Sequence, residues 1–249
     1  MKTIAIGDIH GRNIWRKIVD LEQPDRVIFI GDYFDSFDIP GLDQIYNFQS
    51  ILAWKEATPQ CEVIMLIGNH DYHYFPELLG KCSCSGFQRA LYPEISRVIN
   101  ENRHHLSMAY QLDKYLFTHA GISREWLIHH GWDGEPIADY VNDLWTYKPL
   151  AFNFADTAYG HSDPYGDDTW QTPLWIRPRS LMRASKSLKK EYTQIVGHTA
   201  VKQIDAGKAT GGRYYFIDCF DHIAQYLQLQ ENNNKYTIQI KQLPNGNNK

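Results

Sequence analysis

GDIHG (residues 7–11), GDYFD (31–35), GNHD (68–71), THAG (118–121) and GHT (197–199) are five short blocks that place acids, histidines or an amide beside glycine. Each follows an apolar or β-branched run: TIAIGD, VIFIGD, VIMLIGNHD, YLFTHAG and QIVGHT, with YYFIDC as a sixth run of the same kind. Such runs read as buried strands, and glycine lets the backbone turn sharply where the strand stops. Between the first two strands, residues 13–22 carry Ile14, Ile18 and Leu21 at helical spacing; residues 42–57 repeat the pattern with Ile45, Phe48, Ile51 and Leu52. Strand, helix, strand, helix, strand implies parallel crossovers, which put the ends of successive strands side by side. After Cys219 the pattern changes to IAQYLQLQ and KYTIQIKQL around an Asn-rich turn, which reads as an antiparallel hairpin closing the sheet system.

At 249 residues the chain can fill one large α/β domain. Two regions break the βα rhythm, about 72–110 and 123–192, and are expected to be insertions that overhang the strand ends. The second holds Trp126, Trp132, Trp145, Trp170 and Trp175, which suit a small second core and a substrate-binding wall equally. No apolar stretch approaches the roughly 20 residues of a membrane span, and a cytoplasmic protein is expected. The net charge of −4 argues against a surface built to coat nucleic acid. Cys61, Cys82, Cys84 and Cys219 are too few for a disulfide framework. Cys82 and Cys84 resemble half of a zinc site, but no second Cys or His pair follows at a known spacing, so free thiols are expected.

Asp8, His10 and Asp32 form a mixed oxygen and nitrogen set that suits Mn²⁺, Fe or Zn²⁺ better than Ca²⁺. Asn69, His119 and His198 come from further strand ends and complete a second ion, with Asp32 shared between the two. Each block has a plain structural reading on its own: a GD pair caps helices, and a lone histidine often ends a strand. Five such blocks at five strand ends are hard to explain that way.

The set GDxHG, GDxxD, GNHD, HAG and GH resembles the calcineurin-like metallophosphoesterases, most closely their phosphoprotein phosphatase and symmetrical dinucleoside-tetraphosphatase branch. The resemblance runs from Gly7 to about Cys219. It implies an α/β fold of four layers, α/β/β/α, with two mixed sheets flanked by helices. It implies two divalent ions, Mn²⁺ first and Fe or Zn²⁺ as alternatives, held by Asp8, His10, Asp32, Asn69, His119 and His198. It makes His70 the general acid, Asp35 its orienting carboxylate, and a metal-bridging hydroxide the nucleophile. Ala200 stands where many members carry a second histidine, as in the phosphatase branch.

One block departs from the family. Ser36 and Phe37 follow Asp35 where the branch carries Arg-Gly, whose guanidinium grips the phosphate. Arg177, in PLWIRPR, is the expected replacement, binding phosphate together with Asn69 and His70. Arg179, Arg183, Lys186, Lys189 and Lys190 extend a basic stretch beyond it, read as a solvated face or as a site for a polyanion. The expected partner is a phosphorylated substrate, on a protein or a small molecule. Hydrolysis of a phosphomonoester leads; cleavage of phosphoanhydrides or phosphodiesters, including dinucleoside polyphosphates and nucleic-acid ends, is the alternative, and a non-catalytic binding module comes last.

Overall fold

A computed structural model describes residues 1–80, 84–154, 167–184, 188–206, 213–233 and 235–244. Among the described residues, ten strands form two sheets: β1 Lys2–Ile6, β2 Arg26–Phe29, β3 Glu62–Leu66, β4 Leu106–Ser107, β5 Ala109–Leu112, β6 Tyr115–Thr118, β7 Thr193–Val196, β8 Tyr214–Phe216, β9 Gln225–Asn232 and β10 Lys235–Gln242. The α-helices are α1 Ile14–Glu22, α2 Gly41–Ala57, α3 Asn69–Tyr72, α4 Tyr92–Glu101, α5 Arg124–His129, α6 Ile137–Tyr147, α7 Pro178–Ala184 and α8 Leu188–Glu191.

The first sheet runs β10-β9-β1-β2-β3-β4 and the second β5-β6-β7-β8. Strands β1 to β4 are mutually parallel, as are β6, β7 and β8. The closing hairpin is antiparallel, pairing Lys235 with Asn232 through Gln242 with Gln225, and β9 pairs antiparallel with β1. Both sheets are therefore mixed. The parallel crossovers and the hairpin agree with the sequence reading. Strands β4 and β5 add to it, because Leu106 to Leu112 is too short and too mixed to announce two strands within a region that otherwise shows helical spacing.

Side-chain alternation builds the layers. Ile4, Ile6, Val27 and Phe29 pack outward with Trp15 and Ile18 of α1 and Phe48 and Ile51 of α2. Their neighbours Ala5 and Ile28 turn inward with Ile30 to meet Phe117, Ile195 and Leu227 between the sheets. On the second sheet Leu116 faces the cluster that holds Trp126 of α5 and Val141 of α6, and Val196 and Phe216 pack with Leu181 of α7. This is the expected sandwich of helix, sheet, sheet and helix. Trp126 and Trp145 are buried in it, which settles those two as core. No helix among the described residues is long and apolar enough to cross a membrane.

Candidate active site

The parallel strands of both sheets end at one crevice. Asp8 and His10 follow β1, Asp32 follows β2, Asn69 opens α3 after β3, His119 follows β6 and His198 follows β7. His10, Asp32, Asp35 and His198 all adopt left-handed backbone, with φ of 39°, 52°, 63° and 65°. That conformation costs an L-residue about 1–2 kcal/mol and is best tolerated by Asp, Asn and His. Two glycines let the loops close on one another: a Cβ on Gly68 would meet Asp32 Oδ1 at 2.0 Å, and one on Gly197 would meet Asp8 Oδ1 at 1.9 Å.

The six expected ligands come together. Asp32 Oδ2 lies 3.6 Å from His10 Nε2 and 3.4 Å from His119 Nε2, between the two halves of the cluster. Asn69 Oδ1 lies 2.8 Å from His119 Nε2 and 2.8 Å from His198 Nδ1. Asp8 accepts the His198 backbone N–H at 2.9 Å, joining the first loop to the last. His10 donates its Nδ1–H to Phe34 O at 2.6 Å, and His119 donates its own to Ile30 O at 3.0 Å. Those bonds commit one ring nitrogen of each histidine and leave Nε2 directed at the cluster.

This arrangement fits divalent cations. Nε2 of His119 faces two oxygens, Asn69 Oδ1 and Asp32 Oδ2, and despite burial the Asp32 carboxylate raises the His119 pKa, so the contact draws a positive charge, whether a proton or a metal ion. His198 Nε2 is buried without a hydrogen-bond partner among the described residues. Burial, with Asp218 and Asp32 nearby, raises the Asp8 carboxyl well above its usual pKa, so its charged form needs a compensating positive charge. Asp8, Asp32 and His119 each offer a donor atom within 4.8 Å of the others.

The calcineurin-like phosphoesterase family matches residues 1–202 of the chain. The chain belongs to that family. Its members are metal-dependent hydrolases of phosphate esters. Among solved structures, the phosphoesterase is similar to a cold-active protein tyrosine phosphatase of a psychrophilic Shewanella species, at 16% identity and a TM-score of 0.64, covering 98% of this chain and 80% of that one. A mutant of a cold-active protein tyrosine phosphatase gives 0.65 at the same identity and coverage. A dimetal phosphatase from Danio rerio is more distant, at 12% identity and a TM-score of 0.42 over 97% of this chain and 96% of that one. At 16% identity the likeness to the two tyrosine phosphatase structures speaks for the fold alone. No curated protein sequence matches the phosphoesterase.

His70, on α3, sits beside this cluster. Its backbone N–H donates to Asp32 Oδ1 at 2.9 Å, its ring centroid lies 5.2 Å from that of His10, and its Nδ1 is 3.0 Å from Asp35 Oδ2. Burial opposes a charge on His70, but Asp32, Asp35 and Cys84 outweigh it and raise its pKa well above the imidazole value. Burial also opposes the Asp35 carboxylate, which the neighbouring His70, His73 and Tyr74 nevertheless hold below its usual range. His198 differs: burial, His119 and Arg177 hold its pKa well below the imidazole value, which favours the neutral form that a metal ligand would need. A cavity of about 450 Å³, lined by His10, Arg12, Asp35, Phe37, His70 and Asp221 among others, opens onto this face.

Arg177 lies at the other side of the site. Its Nη1 donates to Thr199 Oγ1 at 3.2 Å, one residue after His198, and Trp175 packs edge-on against the His198 ring at 5.8 Å. Of the basic stretch, Arg179 and Arg183 are exposed, which favours a solvated face. Lys186 falls outside the described residues, as do the side chains of Lys189 and Lys190.

Sequence reasoning passed over five residues here. Asp71 is the last letter of GNHD, and its carboxylate accepts N–H groups from Gly68, Asp32 and Tyr33 at 2.8, 2.8 and 2.7 Å. Asp218 ends β8 as the ligands end their strands, a signal that was available; burial, Asp32 and Asp221 push its pKa up to about 7. Arg12 lines the mouth where the family's Arg-Gly is missing, but it is paired with Asp221 and lies 3.7 Å from Asp38. Tyr74 donates its hydroxyl to Asp35 Oδ1 at 2.5 Å.

His73 is the fifth, with Nε2 2.8 Å from Asp35 Oδ2. Burial works against its charge, but Asp35 and Cys84 prevail and raise its pKa to about 9. A group raised on folding stabilises the fold fully below its unfolded pKa of about 6.5 and loses that contribution as pH rises through the folded value. Thermal unfolding between pH 6.5 and 9 should therefore show wild-type stability falling by up to about 3 kcal/mol. His73→Gln should start lower and change less; an equally steep fall in the variant would remove His73 as the cause.

Proposed function

We propose that this phosphoesterase hydrolyses phosphomonoesters, on a protein or a small molecule, at a centre of two divalent cations, Mn²⁺ first among them. Asp8, His10 and Asp32 would hold one ion and Asp32, Asn69, His119 and His198 the other. When bound, the ions supply Lewis acidity, drawing charge from the phosphoryl oxygens and lowering the pKa of a bound water.

The chain's own residues do the rest. Asp35 Oδ2 fixes the His70 ring through Nδ1, which leaves Nε2–H to give its proton to the departing alkoxide oxygen. One N–H bond breaks and one O–H bond forms, and the neutral imidazole then takes a proton back from solvent. Asp35 keeps the cation stable and oriented, while Asn69, His70 and Arg177 bind the phosphate. Supporting this reading above all is one observation: the His70 imidazole, bonded through Nδ1 to a buried carboxylate, stands beside six candidate ligands from five strand ends.

A panel of metal-loaded assays tests it: p-nitrophenyl phosphate, its bis ester, a phosphopeptide, diadenosine tetraphosphate and a phosphorylated oligonucleotide. The monoesters should be turned over fastest, and preference for the bis ester or the dinucleotide would overturn the monoesterase reading. Loss of one charged hydrogen bond to phosphate costs about 1.5–3 kcal/mol, so Arg177→Ala should raise KM by about tenfold or more with a smaller effect on kcat. An unchanged KM would take Arg177 out of the site.

A further inference from the structure

Beside the strand-end cluster, two residues that the reaction does not use, His73 and Cys84, converge with Asp35 and His70. The set is built from a different chemistry. Cys84 Sγ lies 3.1 Å from His73 Nδ1 and 3.3 Å from His70 Nδ1. Asp35 Oδ2 lies 2.8 Å from His73 Nε2 and 3.0 Å from His70 Nδ1. Asp35, His73 and Cys84 each place a donor atom within 4.8 Å of the others. One ring nitrogen of His73 would serve as its donor, and side-chain movement would bring the set to the bonds of about 2.0–2.3 Å that Zn²⁺ makes with nitrogen, oxygen and sulfur ligands.

Two further observations point to a ligand. His73 is buried to 2% exposure, and its Nε2 makes no hydrogen bond despite the nearness of Asp35 Oδ2, which lies off the N–H direction. A buried ring nitrogen with no directed partner is costly unless something else approaches it. The outer residues also hold the donors in place. Tyr74 and Gln88 occupy Asp35 Oδ1 at 2.5 and 3.4 Å and leave Oδ2 turned toward the histidines. Gly86, at φ +85°, brings the Cys84 loop against Asp35: a Cβ there would touch the Asp35 Cβ at 3.2 Å. An ion has a route in, because Asp35 and His70 line the 450 Å³ mouth and His73 lines a neighbouring cavity of about 610 Å³.

We propose that Asp35, His73 and Cys84 form a separate Zn²⁺ site, with His70 Nδ1 as the fourth donor, and that Zn²⁺ bound there inhibits the enzyme. The thiolate selects a softer ion than Mn²⁺, whereas the strand-end cluster is all oxygen and nitrogen. Zn²⁺ at this place takes Asp35 Oδ2 from His70 and occupies its Nδ1, so the imidazole is held as a neutral ligand and not as the cation that gives up its Nε2 proton. The inhibitory effect rests on the role proposed for His70; the binding does not. The sequence hides the site because His70 and His73 precede the cysteines, where a search for a following pair does not look.

Mn²⁺-loaded full-length protein titrated with Co²⁺, a spectroscopic stand-in for Zn²⁺, tests the binding. A thiolate-to-Co²⁺ charge-transfer band should grow to one equivalent per chain in the wild type and be absent from Cys84→Ser and from His73→Asn, whose folding is checked by circular dichroism. No band in the wild type, or a band that survives in a folded Cys84→Ser, overturns the site. For the effect, Zn²⁺ should lower wild-type activity by tenfold or more while the protein-bound Mn²⁺ content stays constant. Full activity at saturation, or inhibition that tracks Mn²⁺ loss, overturns the inhibitory role. A protein inactive with Mn²⁺ in every assay would refute the proposed function and leave the band to decide the site.

Discussion

Replacing His70 with asparagine should lower kcat by about 10²–10⁴-fold, the range associated with losing a positioned general acid. The change is small in volume and leaves the backbone N–H that donates to Asp32 Oδ1, so the metal cluster should keep its composition. What disappears is the proton. Leaving-group dependence separates this from general damage: aryl esters, whose phenoxides leave readily without a proton, should lose much less rate than alkyl esters. The alkaline limb of the kcat profile should also vanish, because the group whose deprotonation produces it is gone. An equal loss on both ester classes, or release of bound Mn²⁺, would show that His70 holds the site together instead.

The second large effect comes from a residue with no side chain. Gly197→Ala should cost about 10²-fold or more in activity and weaken metal binding, although no ligand is altered. The new methyl carbon would sit 1.9 Å from Asp8 Oδ1 and 3.2 Å from Ile30 Cγ2, so the carboxylate must retreat by about 1 Å. A misplacement of that size costs roughly two orders of magnitude in positioned chemistry. Metal content by elemental analysis and kcat/KM together check it. Full activity at saturating Mn²⁺ would mean that the loop after β7 yields easily.

Much of this site is legible in the sequence because its logic is local. A buried strand, a glycine and a donor make the same sentence after β1, β2, β3, β6 and β7, and each of those donors reaches the crevice. Side-by-side strand ends follow from parallel crossovers, and crossovers follow from helical spacing between apolar runs. The hairpin of β9 and β10 is equally local, a matter of alternation around a turn. What escaped depends on packing across long separations. Cys84 approaches His73 because the chain after α3 returns over the site, and no spacing rule encodes that return. Strands β4 and β5 are two and four residues long, below the length at which alternation is a signal. Asp71 was visible as a letter, yet its role needs the third dimension: on a single turn of helix its carboxylate reaches back to the loop after β2.

That carboxylate ties two loops that carry different candidate ligands. It accepts the N–H of Asp32 and Tyr33 from one and the N–H of Gly68 from the other, all buried. Neither loop can slide along its strand without breaking a charge-assisted bond and stranding an amide, so a thermal displacement of one drags the other with it. The gap between the Asp32 and Asn69 donors thus behaves as a stiff linkage while the sheets around it flex, its length gauged by a side chain outside the set of six.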